Sequence, residues 1–300
     1  MRIARIAVGV DFRATSTDAL KWAAESFAPD AELILVHAID LPTPPPFAPG
    51  LLPPPEERAA TEREAAESRL RDLAGFLTAA NTSVEVRIGR SHVVLAEVAA
   101  SRRADLVLVG PHGDQARPRR LGTTAEQLVR TSRVPVLVAT NPGAGPPRRV
   151  LVPVDGSDVT PAVLAWARYM ADTFDAESTV VHVLSTAAYS HAASVASVTS
   201  PNAAAAEAAV GAALRDEGAV WLEELTAAGI GRDRAHSVVA FGKPGDTIFE
   251  QAERTAADLI VIGRRGTGRV LPLLLGSTVG TVLHGAPCPV LVVTEPGEAS

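Results

Sequence analysis

The chain carries the same series of segments twice. "IAVGVDFRATSTDALKWA" begins at Ile6, and "VLVPVDGSDVTPAVLAWA" begins at Val150, so that Asp11 aligns with Asp155 at an offset of 144 residues (155 − 11). Further on, "RRADLVLVG" aligns with "TAADLIVIG", and "LGTTAEQLVRTSRVPVLVAT" aligns with "LGSTVGTVLHGAPCPVLVVT". Segments that recur in the same order indicate one fold present twice.

A segment rich in proline and glycine, "NPGAGPPRR" at 141–149, joins the two copies. Such a composition is typical of a linker between domains. The 300 residues are also enough for two domains of ordinary size. We therefore expect a first domain at 1–141 and a second at 147–296.

Each copy alternates short apolar runs with segments of helical periodicity. "RVLVPVD" is typical of a buried strand, and the segment from Pro161 repeats apolar residues at the spacing of one helix face, with Thr160 as its expected N-cap. Read in this way, each copy has five strands and four helices. Strict alternation predicts an α/β fold: two tandem open-sheet domains, each a five-stranded parallel sheet with helices on both faces.

Composition excludes several classes of function. A net charge of −6 and a pI near 5.7 argue against a non-specific binder of nucleic acids or anionic membranes. No apolar run reaches the roughly 18 residues that a membrane span needs. The one cysteine, Cys288, permits no internal disulfide, so we expect a cytoplasmic protein in which this thiol is buried and inert.

The stretch "GRRGTGRVLPLLLGSTVG" at 263–280 has the composition of an anion-binding loop. Gly263 ends an apolar strand, Gly266 follows, and Gly276 precedes a helix that opens with Ser277 and Thr278. In open parallel sheets, ligands bind at the carboxyl ends of the strands. Free N–H groups at a helix start attract phosphate. The stretch therefore predicts a phosphate site.

Neighbouring side chains admit two interpretations each. Asp155 ends the first strand of its copy and can accept hydrogen bonds from a ribose or an exocyclic amine, or it can merely cap the following helix. Arg264 and Arg265 can clamp a phosphate, or they are solvated loop arginines. His182 lies between valines, which favours a satisfied core histidine over a ligand.

Other catalytic and nucleotide motifs are absent from the sequence. Gly263-x4-Gly268 is followed by Arg269 and Val270 rather than the Lys and hydroxyl of a Walker A loop, and no G-x-G-x-x-G follows the first strand. No metal-binding cluster and no G-x-S-x-G elbow occurs, and Ser157 has no evident base. We therefore expect no catalytic residue and no metal ligand.

Taken together, these segments resemble the universal stress protein family. The resemblance rests on the spacing G-x2-G-x9-G-[ST] at 263–277, with "VPVDGSDVTPAVLAWA", "VVHVL", "FGKPGDTIFEQA", "ADLIVIG" and "CPVLVVT" in order around it. It implies a five-stranded fold like that of the nucleotide-binding α-hydrolases, and ATP as the ligand, with or without Mg²⁺. It also implies that Asp155 contacts the nucleoside, the backbone of Val183 meets the adenine, and the glycine loop with Gly276 and Ser277 holds the phosphates.

The first copy departs from this pattern. Gly110 and Gly113 preserve G-x2-G, but only eight residues then precede Gly122, and Pro111 removes one N–H donor. Phe12 and its neighbour Arg13 stand where the second copy has Gly-Ser. ATP binding is therefore less secure in the first copy. The candidate ATP-binding residues of both copies are Asp155, Val183, Gly263, Arg264, Gly266, Gly276, Ser277, Thr278, Asp11, Gly110, Gly113, Gly122, Thr123 and Thr124.

The leading hypothesis is an ATP-binding stress-response regulator with adenine nucleotide and an unidentified protein as partners. One alternative is a slow ATPase or autophosphorylating enzyme. Another is an ATP-independent interaction module that uses the variable loops at 41–55 and 187–205. The last strands of the copies resemble edge strands through which family domains pair, which predicts pairing within the chain and leaves a homodimer open.

Overall fold

The computed structural model of the protein describes residues 2–27, 30–41, 55–77, 81–111, 121–186, 189–190, 193–195, 202–266 and 276–294. The chain divides into two compact units, a first unit of Arg2–Pro146 and a second unit of Pro147–Glu298. The variable loop at 41–55 lies almost entirely outside the described residues, and about half of the loop at 187–205 lies outside them.

The first unit contains five parallel strands in the spatial order β3-β2-β1-β4-β5. Strand β1 pairs with β2 on one side, in the register Ile6↔Leu33, and with β4 on the other, in the register Ile6↔Leu106. The strands are β1 (Arg5–Gly9), β2 (Glu32–Ile39), β3 (Thr82–Ile88), β4 (Leu106–Val109) and β5 (Val136–Val138).

Helices connect these strands. The first continues into a π-helical turn, Ala23–Phe27, before β2 begins. Helix α2 contacts β2 and β3, whereas α3 and α4 contact one another. The helices described in this unit are α1 (Ala14–Trp22), α2 (Pro55–Gly75), α3 (Ser91–Ser101) and α4 (Thr123–Thr131).

The second unit repeats this topology, with the strand order β10-β9-β6-β7-β8. Strand β6 lies between β7 and β9, and its register with β9 is Val150↔Leu259. The strands are β6 (Arg149–Pro153), β7 (Glu177–Ser185), β8 (Ala235–Gly242), β9 (Leu259–Gly263) and β10 (Val290–Val293).

Four helices of the second unit have both ends within the described residues. Helix α5 contacts α6, and α7 contacts α8, as expected when two helices cover each face of the sheet. They are α5 (Thr160–Phe174), α6 (Ala203–Gly229), α7 (Pro244–Arg254) and α8 (Ser277–Gly285). No helix in the described part of the chain is long and apolar enough to cross a membrane.

The predicted fold class is confirmed: each unit is an α/β fold built on a parallel sheet. The central strands are apolar on both faces because helices cover both, and Ile6, Leu108, Leu151 and Ile260 are all fully buried. One local prediction was wrong. Thr160 is the first residue of α5 and Val159 is its N-cap, so the helix starts one residue earlier than expected.

Equivalent aspartates fasten the amino ends of the central strands. Asp258 accepts hydrogen bonds from the backbone N–H groups of Arg148 (3.0 Å) and Arg149 (2.9 Å). Asp105 accepts in the same way from Ala4 (2.8 Å) and Arg5 (2.9 Å) in the first unit. Each carboxylate therefore ties the start of its unit's first strand to the start of its fourth.

We expect Asp258→Ala to lower the free energy of unfolding by about 1–3 kcal/mol, because two backbone donors lose a charged acceptor. Asp172→Ala is a matched control, since Asp172 is 66% exposed and only pairs with Arg168 along α5 at 3.7 Å. Such a surface pair contributes at most about 1 kcal/mol. Urea unfolding of both variants measures the difference, and equal losses would contradict the proposed role of Asp258.

Cys288 is buried, as the sequence predicted. Burial, and to a lesser extent the negative charge of Asp258, raises the pKa of this thiol to about 12. Because the thiolate is the reactive form, the thiol is inert while the protein is folded.

At pH 8 we expect Cys288 to react with a disulfide reagent at a small fraction of the rate of a free thiol, because roughly one thiol in ten thousand is ionised when the pKa lies four units above the pH. In denaturant the same residue should react at the ordinary rate. Rapid modification of the folded protein would show that the thiol is accessible and ionised.

Candidate functional site

The candidate site lies at the carboxyl edge of the sheet in the second unit. Strands β6 and β9 are neighbours, so the residues that follow them meet at this edge. Asp155 follows β6 and Gly266 follows β9, and a Cβ atom placed on Gly266 would lie only 2.3 Å from Oδ2 of Asp155. The turn after the first strand therefore lies beside the described start of the glycine loop (residues 263–276), at Gly266.

A tight turn fixes the carboxylate of Asp155. Its Oδ1 accepts hydrogen bonds from the backbone N–H (3.1 Å) and the Oγ (2.6 Å) of Ser157. Gly156, between them, has φ +74°, a conformation that favours glycine. Asp155 therefore closes the turn that precedes α5, whose N-cap is Val159. Its Oδ2 faces the glycine loop.

The glycines of the loop serve different purposes. A Cβ on Gly263 would lie 2.4 Å from Cγ1 of the buried Val159, so close packing against the start of α5 requires glycine there. Gly276 differs: a Cβ would make only ordinary contacts, 3.5 Å from the Arg264 carbonyl oxygen and 3.9 Å from Val279, and its φ is −57°. Packing against the described residues therefore does not require glycine at position 276.

Helix α8 starts at the end of the loop. Gly276 is its N-cap, Ser277 is exposed and Thr278 is half-buried. The first N–H groups of a helix have no partner within the helix, and they carry the positive end of its dipole. The start of α8 therefore presents backbone N–H donors and hydroxyl groups. It lies close to the start of the loop, because a Cβ on Gly276 would be 3.5 Å from the Arg264 carbonyl oxygen.

Arg264 lies deeper than the sequence suggested. Its backbone N–H donates to Val293 (2.8 Å), and the residue is only 6% exposed. It is therefore not a solvated loop arginine. Arg265, beside it, is half-buried. Among the described residues, no group of three or more His, Cys, Asp or Glu side chains is placed to hold a metal ion.

His182 and Val183 lie on β7, next to the Asp155 turn. The Nδ1 of His182 is 2.8 Å from the carbonyl oxygen of Val154, the residue before Asp155. The histidine is thus hydrogen-bonded and half-buried, in agreement with the structural interpretation of this residue. Val183 is also half-buried and pairs with Ala240 on β8.

Trp221 was not singled out from the sequence. It lies on α6, and its ring is 5.0 Å from the ring of His182, in an edge-to-face arrangement. A Cβ on Gly156 would be 3.2 Å from the Cζ2 atom of this indole. The residue is distant in sequence from every motif, so only the packing of α6 against the sheet places it beside the site.

The first unit reproduces part of this arrangement. Asp11 accepts a hydrogen bond from Ser16 Oγ (2.6 Å) and from the backbone N–H of Arg13 (3.1 Å). A Cβ on Gly110 would lie 3.3 Å from the backbone of Thr15, so this glycine also packs tightly against the first helix.

In the first unit a backbone hydrogen bond joins the two described ends of the corresponding loop. The backbone N–H of Gly122 donates to the carbonyl oxygen of Pro111 (2.7 Å), which engages one donor at the start of α4. Thr123 and Thr124 form the first turn of that helix. Gly113 lies outside the described residues.

Comparisons with known proteins agree with this architecture. The model of the universal stress protein family matches residues 2–140 and again residues 147–294. A universal stress protein of Mycolicibacterium smegmatis is 29% identical over 298 residues, covering 96% of each chain. One of Methanocaldococcus jannaschii is 32% identical over 153 residues, which cover 50% of this chain and 83% of that protein.

A solved structure has the same fold along the whole chain. The crystal structure of a universal stress protein from Archaeoglobus fulgidus superimposes with a TM-score of 0.68 at 21% identity, covering 97% of this chain and 98% of that one. Because the family model matches nearly the entire chain in two copies, this protein belongs to the universal stress protein family as a tandem member. The resemblance drawn from the sequence is confirmed.

Two glycine substitutions separate the packing role from a ligand role. Gly263→Ala should lower the free energy of unfolding by about 1–3 kcal/mol, because the new methyl group overpacks against Val159. Gly276→Ala should leave the stability close to that of the wild type. Thermal unfolding compares the two, and a large loss from Gly276→Ala would mean that packing requires this glycine after all.

Proposed function

We propose that the second unit binds ATP and that the protein acts as a nucleotide-dependent regulator of a stress response. The observation that carries the proposal is the close approach of Asp155 and Gly266 at the carboxyl edge of the sheet. A carboxylate that can accept from a ribose or an amine lies there beside a glycine loop that ends at a helix start. This combination suits a nucleotide, which is a polar nucleoside joined to an anionic chain.

Gly276 supports the same proposal. The described residues leave room for a Cβ at this position, yet the sequence has glycine. Close approach of a ligand to the backbone is a physical reason for a glycine that packing does not demand. Ser277 and Thr278, which follow, would add hydroxyl donors for phosphate oxygens, and the backbone of Val183 would meet the adenine. Membership of the family adds independent support.

Binding should be weaker in the first unit. Pro111 offers no N–H donor, and the N–H of Gly122 already donates to Pro111 within the chain. Asp11 also has a cationic neighbour, with Arg13 Nε 3.6 Å from its Oδ2. A phosphate in the first unit would therefore meet fewer backbone donors than one in the second.

The equivalent aspartates of the two units provide a matched pair of variants for testing ATP binding. Asp155 and Asp11 each accept a hydrogen bond from a nearby serine Oγ at 2.6 Å, so replacing either should cost similar stability. In isothermal titration with ATP, we expect Asp155→Ala to weaken the main binding event by about 10- to 150-fold, the equivalent of a hydrogen bond to a charged group. Asp11→Ala should leave that event unchanged.

Native mass spectrometry counts the nucleotides directly. We expect one tightly bound nucleotide per wild-type chain, lost when Gly276 and Ser277 are both replaced by valine and retained when Gly122 and Thr123 are replaced in the same way. Absence of any ATP binding by the wild type would overturn the proposal and favour the interaction module. Turnover of ATP above that of the Gly276–Ser277 variant would instead favour the enzymatic alternative.

A further inference from the structure

In each unit an aromatic ring lies against the equivalent histidine, but the ring belongs to a different structural element in the two units. In the second unit, Trp221 on α6 lies 5.0 Å from the ring of His182. In the first unit, Phe12 in the turn after β1 lies 4.6 Å from the ring of His37. The histidines are equivalent, since Nδ1 of His37 lies 2.7 Å from the Val10 carbonyl oxygen, as that of His182 lies 2.8 Å from Val154.

A single backbone position, the residue after the equivalent aspartate, allows the aromatic ring to come from a different element in each unit. Phe12 and Gly156 follow the two equivalent aspartates, and both have a left-handed backbone, with φ +61° and +74°. In the second unit the absence of a side chain at Gly156 leaves space for the indole, since a Cβ there would be 3.2 Å from Trp221 Cζ2. In the first unit the Phe12 ring itself covers the histidine.

The surroundings of the two rings differ. The guanidinium carbon of Arg69 lies 3.9 Å from the centroid of the Phe12 ring, so a cation covers a face of that ring. Trp221 is 36% exposed, whereas Trp22 and Trp166 are each only 5% exposed. A partly exposed indole beside the Asp155 turn is a surface on which a flat, aromatic ligand group can stack.

We propose that Trp221 forms the wall of the nucleotide site against which the base of a bound nucleotide stacks. This inference rests on the proposed ATP site of the second unit and adds the residue that recognises the aromatic end of the ligand. The indole contacts Gly156, next to Asp155, and Oδ2 of that aspartate faces Gly266 at the start of the glycine loop. The base therefore meets Trp221 at the nucleoside end, and the phosphates lie between Gly266 and the start of α8.

Two probes separate the base from the phosphates. ATP carries both, whereas inorganic tripolyphosphate carries only the anionic chain. We expect Trp221→Ala to raise the Kd for ATP by about 5- to 150-fold, the range that the loss of one base–aromatic stacking contact corresponds to. The Kd for tripolyphosphate should not change, since the phosphate-binding backbone is intact.

Two further variants control for folding and for ring identity. Trp221→Phe keeps an aromatic face and should bind ATP nearly as well as the wild type. Val220→Ala alters the neighbouring residue, which is 59% exposed, and should have no effect. Circular dichroism and thermal unfolding show whether each variant retains α6.

Tryptophan fluorescence gives a second readout on the unmodified protein. Because Trp221 is much the most exposed tryptophan, acrylamide should quench mainly its emission. ATP should protect the indole of Trp221 from quenching, and tripolyphosphate should not.

An unchanged Kd for ATP in a folded Trp221→Ala variant, or an equal loss of tripolyphosphate binding, would overturn the role of Trp221 and leave the proposed ATP site unaffected. If the wild type bound neither probe, the proposed function itself would fail.

Discussion

The pairing of the first and fourth strands of each unit is the constraint on which the rest of the structure depends. Strand β6 must lie beside β9, although 105 residues (154–258) separate them, and the connections on either side of this pair run in opposite directions across the sheet. A crevice opens at the carboxyl ends of two such strands, because the chain leaves them toward opposite edges. Asp155 and the glycine loop meet at this point, and Asp258 fastens the same two strands at their amino ends.

Because the fold is present twice, equivalent positions of the two units can be compared directly. Backbone conformations recur at equivalent positions, as in Gly89 with φ +145° and Gly242 with φ +152°, or Arg103 with φ +51° and Ala256 with φ +47°. The structural parts of the repeat are thus retained in detail. Two of the differences between the units lie at the candidate site, in the shortened loop and in the turn that carries Phe12 in place of Gly156. The two units therefore share one fold but differ at the edge of the sheet where the candidate site lies.

Much of the fold and part of the site could be predicted from sequence. Apolar runs such as "ADLIVIG" indicated buried parallel strands, and the glycine spacing located a loop at a strand end. The same reasoning could not separate the glycines, because spacing alone does not tell Gly263, which packs on Val159, from Gly276, which has room for a side chain. It also left Arg264 open between a phosphate clamp and a solvated loop arginine, and the residue proved to be buried.

The sequence by itself determined the duplication, the alternation of strands and helices, the family, and the residues that follow the first and fourth strands. These properties are encoded locally, in periodicity and in motifs whose members are near one another in the chain. Only the tertiary structure decided that Asp155 Oδ2 faces Gly266, and that Trp221 rather than a loop residue lies against His182. Those contacts depend on how a helix packs on a sheet, and side chains far apart in sequence carry no local signal of where that packing will bring them.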